Sequence, residues 1–271
     1  MTETTPSAVL SGGAEEAAPL AAPVEEMRRT TVRDALESLL VTVILALFGT
    51  TFLMQAFKIP SSSMEDTLLI GDHIMVNKLA FAPRAGWLGP LLPYREIRGG
   101  DIIVFKYPVS PATHFVKRVI GVPGDRLRIV HRQVNVNGRF LDESYKVHKI
   151  GTVEEFRDQF PSLPLGPLLP RWADEMRSHV KDGALVVPPG RYFVMGDNRD
   201  FSSDSRYWGF VPRENILGRP LVIYWSLNST SRDYQITGLR QRLAGIVEIL
   251  KDFPSKTRWN RMFRIIHGSQ E

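Results

Sequence analysis

Three consecutive serines follow Pro60 in the segment "KIPSSSMEDTL", directly after a long apolar run. A serine hydroxyl is a poor nucleophile until a base removes its proton and hydrogen-bond donors stabilise the oxyanion that follows. If Ser61, Ser62 or Ser63 is a nucleophile, the chain must also supply that base. No serine lies in a Gly-x-Ser-x-Gly turn, and His114 is the only histidine close to a strand pattern, so a Ser-His-Asp triad is disfavoured.

Lys117 is the alternative base. A lysine side chain titrates near pH 10.4, so about one molecule in 2500 is neutral at pH 7, and a useful base needs burial to lower its pKa by about three pH units. Lys117 lies within "HFVKRVIGV", where a strand would put Phe115 and Val119 on the same face. A strand lysine can equally extend its amine to water. These residues alone leave both possibilities open.

The apolar run from Ser38 to Phe57 predicts a transmembrane helix. Its uncharged residues, in helical form, cover about the 30 Å of a bilayer's hydrocarbon core. A cleaved secretory signal, whose apolar core has about 7 to 15 residues, and a buried core helix are the alternatives. Residues 1–37 begin with a stretch rich in Ala, Pro, Thr, Ser and Glu and predict a disordered tail. Arg28, Arg29 and Arg33 favour a cytoplasmic N-terminus.

Short segments rich in β-branched and aromatic residues follow the span and predict a mostly β domain over residues 58–238. They include "HIMVNKL", "DIIVFKY", "QVNVNGRFL" and "PLVIYWS". Asn137-Gly138 is a strong hairpin signal. Residues 149–181 interrupt this series of strand-like segments with a proline-rich stretch and the short helical segment "WADEMRSHV". This break predicts a small insertion on the β core.

The composition excludes several kinds of site. The 271 residues contain no cysteine, so a disulfide or a cysteine-based metal or redox centre is impossible. No two of the six histidines have the i, i+4 spacing of a helical zinc site, and we expect neither a metal nor a cofactor. The net charge of +5 lies between Leu239 and His267, which hold seven basic and two acidic residues. A neutral body with a basic tail argues against nucleic acid and indicates one end that touches an acidic surface.

Residues 239–271 predict two basic amphipathic helices. The apolar residues with i, i+3, i+4, i+7 spacing are Leu243, Ile246, Val247 and Leu250 in the first helix and Trp259, Met262, Phe263 and Ile266 in the second. Such helices can pack on a β core or lie on anionic lipid near the anchor. The spacing leaves both possibilities open.

Four ordered segments resemble the motif boxes of bacterial type I signal peptidases. They are "IPSSSMEDTLLIGD", "GDIIVFKYP", "FVKRVIGVPGD" and "MGDNRDFSSDSRYWGFVP"; the resemblance spans about residues 39–226, and "TGLR" follows near Gly238. These enzymes are Ser-Lys proteases that remove signal peptides from exported proteins. Together with the periodicities above, the resemblance implies a mostly β fold. A single N-terminal transmembrane helix would precede a β-rich Ser-Lys protease domain with a small inserted cap region and basic amphipathic C-terminal helices.

The resemblance assigns roles residue by residue. Ser63 matches the family's nucleophile, and Lys117 matches its general base. Ser61 matches a hydroxyl of the oxyanion hole, and the backbone N–H of Ser63 would be the second donor. Ser62 is then a spacer, so two of the three serines have separate roles.

A second group of matches would support the base. Ser202 matches the hydroxyl that hydrogen-bonds and orients the lysine amine. Asp204 and Arg206 match an ion pair that braces the site, and Arg118 matches the basic neighbour of the lysine. Residues 196–198 would shape the adjoining turn.

The resemblance also implies two shallow pockets for small side chains, and therefore a preference for Ala-x-Ala sites. The apolar residues that match the pocket positions are Phe57, Ile59, Met64, Leu68, Ile74, Val104, Phe115 and Val116. The expected partners are the signal peptides of secreted preproteins and a phospholipid membrane, with no nucleic acid, and we expect a monomer. The catalytic domain would face the periplasm or the exterior from the bacterial cytoplasmic membrane.

One departure from the family pattern lies beside the nucleophile. The family usually has Pro-Thr-Leu after the serine-methionine pair, whereas this chain has Glu65-Asp66-Thr67-Leu68. Negative charge there would raise the affinity of Lys117 for its proton. We therefore expect Asp66→Pro to move the pH profile of cleavage to lower pH.

Two other functions compete with the protease. A self-cleaving Ser-Lys repressor of related fold would need a DNA-binding domain where this chain has an apolar span. A non-catalytic envelope protein that binds signal peptides would not need an aligned nucleophile and base. The presence of Ser61, Ser63, Lys117, Ser202 and Asp204 together therefore favours the enzyme.

Overall fold

The computed structural model describes residues 24–81, 95–162, 168–230 and 253–268. The first part of the predicted tail, the "TGLR" motif and the amphipathic helix predicted over residues 243–250 lie outside these ranges. The chain divides into an N-terminal unit that ends at Leu47 and a β-rich unit that begins at Phe48.

Helix α1 (Val24–Phe48) continues as a π-helical turn over Gly49–Leu53. Neither glycine nor proline interrupts α1, so the helix begins well before the apolar run, and residues 24–37 are helical rather than part of a disordered tail. Thr31–Leu53 is the one helix in the described ranges that is long and apolar enough to cross a membrane. Its most apolar 18-residue stretch has a mean hydropathy of 2.0, and none of that stretch is buried.

The apolar helix also ends earlier than predicted. Strand β1 (Met54–Lys58) pairs antiparallel with β2 (Asp72–Asn77), so the last four residues of the predicted span belong to a strand. Gly49 and the β-branched Thr50 and Thr51 are poor helix formers just before this point. Pairing with β2 supplies the backbone hydrogen bonds that further helix would otherwise provide.

Eleven further strands in the described residues complete two antiparallel sheets. In chain order they are β3 (Ile102–Lys106), β4 (His114–Gly121), β5 (Arg126–Val130), β6 (Gln133–Val136), β7 (Arg139–Phe140), β8 (Val180–Lys181), β9 (Ala184–Val186), β10 (Arg191–Met195), β11 (Val211–Pro212), β12 (Ile216–Ser226) and β13 (Arg264–Ile265). The first sheet has the order β1-β2-β12-β3-β4-β10-β11, with β13 along β12, and the second has the order β7-β6-β5-β9-β8. The predicted β-rich fold is confirmed.

The insertion predicted at residues 149–181 packs against the second sheet. It contains α2 (Glu155–Asp158) and α3 (Pro170–His179), and α3 matches the predicted helical segment. Trp172 and Met176 are buried one turn apart on α3. Together with Phe156 they share an apolar core with Ile129, Val134 and Leu185 of the second sheet, and Phe193 of β10 in the first sheet belongs to the same core. The end of the insertion, β8, is itself a strand of that sheet.

Asn137 and Gly138 form the predicted hairpin turn between β6 and β7. Their φ values are +52° and +85°, the left-handed conformation that a two-residue type I′ turn requires at both positions. Asn137 Nδ2 donates to Asp125 at 2.7 Å, and Asn137 Oδ1 accepts from the N–H of Arg126 at 2.9 Å. The same asparagine therefore makes the turn and ties it to β5.

Residues 253–268 form an extended segment along β12 that we call the C-terminal arm. Its elements are α5 (Phe253–Lys256), a 3₁₀ turn at Trp259–Arg261 and β13. The amphipathic helix predicted from Trp259 to Ile266 is therefore wrong.

The predicted helix does not form because the backbone N–H groups of the arm donate hydrogen bonds to β12 instead. The N–H groups of Phe263 and Ile266 donate to the carbonyls of Ile223 and Leu221 at 2.7 and 2.8 Å. The apolar side chains then point in different directions, because Ile266 is 5% exposed whereas Phe263 is 73% exposed. Helical spacing in the sequence did not reveal this competing partner.

A buried ion pair joins the C-terminal arm to Asp72, the first residue of β2. Asp72 directly follows residues 59–71, which carry the three serines and are here called the serine loop. Asp72 is fully buried, and Arg261 Nη2 donates to its carboxylate at 2.6 Å. The same nitrogen donates to the carbonyl of Thr67 at 3.0 Å, and Ser226 Oγ donates to Asp72 at 2.6 Å. The arm thus contributes directly to fixing the serine loop.

We expect Arg261→Met to lower the free energy of unfolding by about 3 kcal/mol, because it leaves the Asp72 carboxylate buried without its closest charged partner. The measurement is denaturant unfolding of the detergent-solubilised protein, followed by tryptophan fluorescence. Arg264→Met is the matched control, since Arg264 is exposed on the same arm. Equal unfolding midpoints for the two variants would show that the ion pair contributes nothing.

Candidate active site

The serine loop is held at its base and packed against the sheet. The N–H of Ile59 donates to the carbonyl of Asp72 at 2.9 Å, where β1 and β2 approach each other. The N–H of Leu68 donates to the carbonyl of Met64 at 2.7 Å and forms a single helical turn. The side chains of Met64 and Leu68 are both buried, so packing fixes the backbone on the C-terminal side of Ser63.

Ser63 and Lys117 meet in a buried part of the β domain. Lys117 Nζ lies 2.6 Å from Ser63 Oγ, and the two residues are only 4% and 8% exposed. Burial lowers the pKa of Lys117 to about 8; the charges of Asp204 and Asp197 oppose this shift, while that of Arg206 adds to it. A lysine with such a pKa is about one tenth neutral at pH 7, and its neutral amine can accept the serine proton.

Ser61 and Ser202 flank this pair differently. Ser61 Oγ lies 3.3 Å from Ser63 Oγ, on the exposed side of the serine loop. Ser202 is 5% exposed, and its Oγ has no hydrogen-bond partner among the described residues. The hydrogen bond from Ser202 to the lysine amine that the resemblance implies is therefore not formed here.

Asp204 and Arg206 form a buried bidentate ion pair. Arg206 Nε and Nη2 each donate to one oxygen of the Asp204 carboxylate at 2.8 Å, and the N–H of Gly196 donates to it at 3.1 Å. Burial raises the pKa of Asp204, but Arg206 and these hydrogen bonds lower it by more, so the carboxylate stays charged. Its negative charge in turn raises the pKa of Lys117 and offsets part of the effect of burial.

Asp197 and Asn198 hydrogen-bond to the serine loop. The sequence analysis predicted that they shape a turn, but it did not predict these contacts with the loop. The Asp197 carboxylate accepts from Arg118 Nε and Nη2, both at 2.8 Å, and from Thr67 Oγ1 at 2.6 Å. The backbone N–H of Asn198 donates to the carbonyl of Ser63 at 3.2 Å. Both partners of this ion pair could be seen in the sequence, because Arg118 follows Lys117 in one motif and Asp197 follows Gly196 in another.

Gly196 lies where the serine loop approaches the loop that carries Ser202. A Cβ atom at Gly196 would be 2.3 Å from Ser202 Oγ and 2.4 Å from the carbonyl oxygen of Ser63. No real Cβ atom tolerates such distances, and one of these contacts is to backbone. Glycine at this position is thus a steric requirement of the site.

A cleft of about 610 Å³ opens beside Ser63 and Lys117. β1 is the edge strand of the first sheet, and in the described residues the first half of β4 pairs only with β3, so both strands offer backbone to the cleft. The predicted pocket residues that line it are Phe57, Ile59, Met64, Val104, Phe115 and Val116. Ser61 lines it as well.

Leu68 and Ile74 do not line the cleft, unlike the other predicted pocket residues. Both are fully buried, and they belong to the apolar core that contains Ile59 and Met64. Their neighbours in this core cover them. Leu68 and Ile74 therefore act on the cleft only by supporting the residues that form its wall.

Comparisons with known proteins show the family of this chain. Residues 32–225 match the family model described as signal peptidase, peptidase S26. The chain belongs to this family. It is 36% identical to a signal peptidase I of Aquifex aeolicus over 228 residues, covering 72% of this chain and 85% of that protein.

Two further proteins also match part of this chain. A signal peptidase I of Pseudomonas aeruginosa is 36% identical over 188 residues, 65% of this chain and 66% of the relative. A solved signal peptidase I from Enterococcus faecalis aligns with 28% identity and a TM-score of 0.31, covering 46% of this chain and 97% of that one. Membership of the S26 family makes this protein a peptidase.

In this S26 family member, Asp66 does not act on the lysine as we expected. Asp66 is exposed, and Glu65 pairs with Lys149 at 2.8 Å. The charges that act on the pKa of Lys117 are those of Asp204, Arg206 and Asp197. The expected shift of the pH profile on replacing Asp66 is therefore not supported.

One cluster in the S26 domain has metal-ligand chemistry. Ligand atoms of His148, Asp158 and Asp200 lie within 4.8 Å of one another. Arg157 contacts both carboxylates, Asp158 at 2.9 Å and Asp200 at 3.3 Å, and Arg132 contacts Asp158 at 3.0 Å. The carboxylates are thus neutralised by arginine, which is typical of a structural ion-pair network rather than of a cation site.

We expect Gly196→Ala to lower cleavage activity by about a hundredfold or more, because displacing Ser63 or Ser202 by about 1 Å misplaces the reacting groups. Activity is measured on a precursor protein, and folding is checked by circular dichroism. Gly151→Ala is the control, since a Cβ there meets no atom within 4 Å. Normal activity of the Gly196 variant would exclude tight packing as a requirement of the site.

Proposed function

We propose that this protein is a membrane-anchored serine endopeptidase that removes N-terminal signal peptides from exported preproteins and cleaves after small residues in Ala-x-Ala sequences. The observation that carries the proposal is the 2.6 Å contact between Lys117 Nζ and Ser63 Oγ in a buried setting. A protein that only bound signal peptides would have no use for a desolvated lysine held against a serine. The relatives named signal peptidase I support the substrate class.

The first half of the reaction forms an acyl-enzyme. Neutral Lys117 takes the proton of Ser63 Oγ, and the resulting alkoxide attacks the carbonyl carbon before the cleavage point. The negative charge that develops on the carbonyl oxygen is stabilised by Ser61 Oγ and the N–H of Ser63. Lys117, now an ammonium ion, gives its proton to the leaving amine.

The second half of the reaction uses the same groups. Lys117 is neutral again after the amine leaves, so it can take a proton from the water that attacks the acyl carbonyl carbon. The ester bond to Ser63 Oγ then breaks, and Lys117 returns the proton to that oxygen. Ser202, whose Oγ has no other partner in the described residues, is free to orient the lysine amine once substrate closes the site. The Asp204–Arg206 ion pair fixes the backbone next to Ser202.

The cleft accounts for the preference for small residues. An extended peptide laid along β4 would point alternate side chains towards the wall formed by Val104, Val116 and Ile59. This wall is apolar, and a buried apolar core lies directly behind it. Residues at the first and third positions before the cleaved bond therefore have to be small, and the residue between them points the other way.

A phospholipid membrane is the second proposed partner. Thr31–Leu53 has the length and hydropathy of a single span, and the arginines before it favour a cytoplasmic N-terminus, which would put the catalytic domain on the periplasmic or extracellular side. The C-terminal arm exposes Phe253, Trp259, Phe263 and Ile265, side chains suited to the interface between lipid and water. We propose a monomer.

The decisive experiment compares cleavage of a precursor carrying an Ala-x-Ala site by the wild type, Ser63→Ala and Lys117→Ala. Each variant should lose at least about a thousandfold in rate, since each removes a group that acts in the transition state. Ser62→Ala is the matched control and should cleave like the wild type. If Ser63→Ala or Lys117→Ala cleaved normally, or if the wild type bound the precursor without cutting it, the proposed protease mechanism would be excluded.

The pH profile of cleavage gives a second test. Because Lys117 acts as a base only when neutral and its pKa is about 8, the rate should rise with pH, reach half its maximum near pH 8 and level off above it. Asp66→Asn should leave this midpoint where it is, since Asp66 is not among the charges that shift the lysine. A midpoint near 10, the value of an exposed lysine, would mean that burial does not activate Lys117.

A further inference from the structure

The cleft changes character along its length. Near the proposed nucleophile its wall is the apolar set of Ile59, Val104 and Val116. Farther from the nucleophile, the exposed residues Lys58 of β1 and His114 of β4 line it. The mechanism above uses the apolar part of the cleft and leaves this polar end without a role.

Strand pairing places Lys106 beside His114. In the register of β3 and β4, Val104 is opposite Val116, and Lys106 is opposite His114. Residues two apart on a strand share a face, and Cβ atoms directly opposite each other lie about 5 Å apart. β3 shows this alternation, because Val104 and Phe105 pack in two different apolar cores. Lys106 therefore extends from the face that forms the apolar wall, one cross-strand pair farther along.

This end of the cleft carries positive charge that no nearby carboxylate balances. Lys106 is exposed, and its Nζ has no ion-pair partner among the described residues. The two segments that form the sides of the cleft, 54–64 and 102–124, contain no aspartate or glutamate. The aspartates next to Phe201 and Ser203, which also line the cleft, are each paired with an arginine. Charge complementarity therefore favours an anionic group at this end.

We propose that Lys106 and His114 form a subsite for an acidic side chain at the fifth residue before the cleaved bond. The assignment rests on the proposed cleavage of signal peptides. An extended peptide turns every second side chain to the same wall, so the first, third and fifth residues before the bond share one face. The first and third meet the apolar part of the cleft. The fifth reaches the next cross-strand pair, formed by Lys106 and His114.

The dimensions of the cleft fit this register. An extended chain rises by about 3.3 Å per residue, so the fifth residue before the bond lies about 13 Å from the first. His114 is three residues along β4 from Lys117, which spans about 10 Å. The rings of His114 and Phe57 meet edge-on with 5.5 Å between centroids, which holds the imidazole at this end. The flexible four-carbon stem of Lys106 covers the remaining distance.

A carboxylate suits this subsite better than other side chains. A lysine ammonium group has three donors and no acceptor, and an imidazole offers at least one N–H donor. A lysine or arginine at the same substrate position would be repelled. Because the subsite is exposed, water and salt screen the charges, and the effect on cleavage should be moderate.

The test uses the full-length protein in a non-ionic detergent and precursors that differ only in the fifth residue before the bond: glutamate, glutamine or lysine. The measured quantity is kcat/KM relative to the glutamine precursor. At about 20 mM salt we expect a ratio of about two to five for glutamate, the range of an exposed ion pair, and a ratio below one for lysine. In about 0.5 M salt both ratios should approach one, because exposed charges are screened.

Lys106→Glu reverses the charge of the subsite, so this variant should cleave the lysine precursor faster than the glutamate precursor. His114→Glu should shift the preference in the same direction from the residue that lines the cleft, and it gives a result even if Lys106→Glu does not fold. Lys181→Glu is the matched control. It makes the same change in net charge at an exposed position of the second sheet, so the wild-type ratios should be kept.

Three outcomes would overturn the assignment. They are a wild-type glutamate ratio near one at low salt, unchanged ratios in both Lys106→Glu and His114→Glu, or an equal gain when glutamate is moved to the fourth or sixth residue before the bond, whose side chains point to the other face. Cleavage of the glutamine precursor separates these results from failure of the proposed function. If the wild type cleaves no precursor at all, the peptidase proposal fails and the subsite with it.

Discussion

Burial of the Lys117 amine is the constraint on which the rest of the site depends. Removing an ammonium ion from water lowers its pKa, and here that effect outweighs the nearby carboxylates of Asp204 and Asp197. Each of these carboxylates is paired with its own arginine, Arg206 or Arg118, through two hydrogen bonds. Both carboxylates raise the pKa of Lys117, and the charge of Arg206 lowers it. The ion pairs thus stabilise the loops around the lysine and leave desolvation as the dominant influence on it.

The serine loop has to hold Ser63 against this amine, and segments distant in the sequence fix it. Asn198 binds the carbonyl of Ser63, Asp197 binds the hydroxyl of Thr67, and Arg261 binds the carbonyl of Thr67. A loop stabilised only by its own turn would fluctuate by more than the precision a proton transfer needs. The C-terminal arm therefore belongs to the machinery that positions the proposed nucleophile, although it lies almost 200 residues away in the chain.

Features determined by neighbouring residues could be predicted from the sequence, and features that depend on distant partners could not. The Asn137-Gly138 turn, the apolar span and α3 follow from local spacing. The helix predicted for the C-terminal arm is wrong because Phe263 and Ile266 pair with β12. Helical spacing in the sequence cannot reveal such a partner. The motif resemblance predicted that Ser63 and Lys117 lie side by side. It could not distinguish Val116, which is in the cleft wall, from Leu68, which is in the core behind it.

Strand β4 links the two properties a selective peptidase needs. Lys117 and Val116 are adjacent in sequence, and both line the cleft together with Phe115. A peptide bound along this strand would meet the proposed base and the apolar wall in one cleft, at a spacing that the backbone geometry of β4 fixes. A slip of one residue would exchange the faces of every substrate side chain. In the proposed reaction, the same strand would therefore set both the selectivity and the position of cleavage.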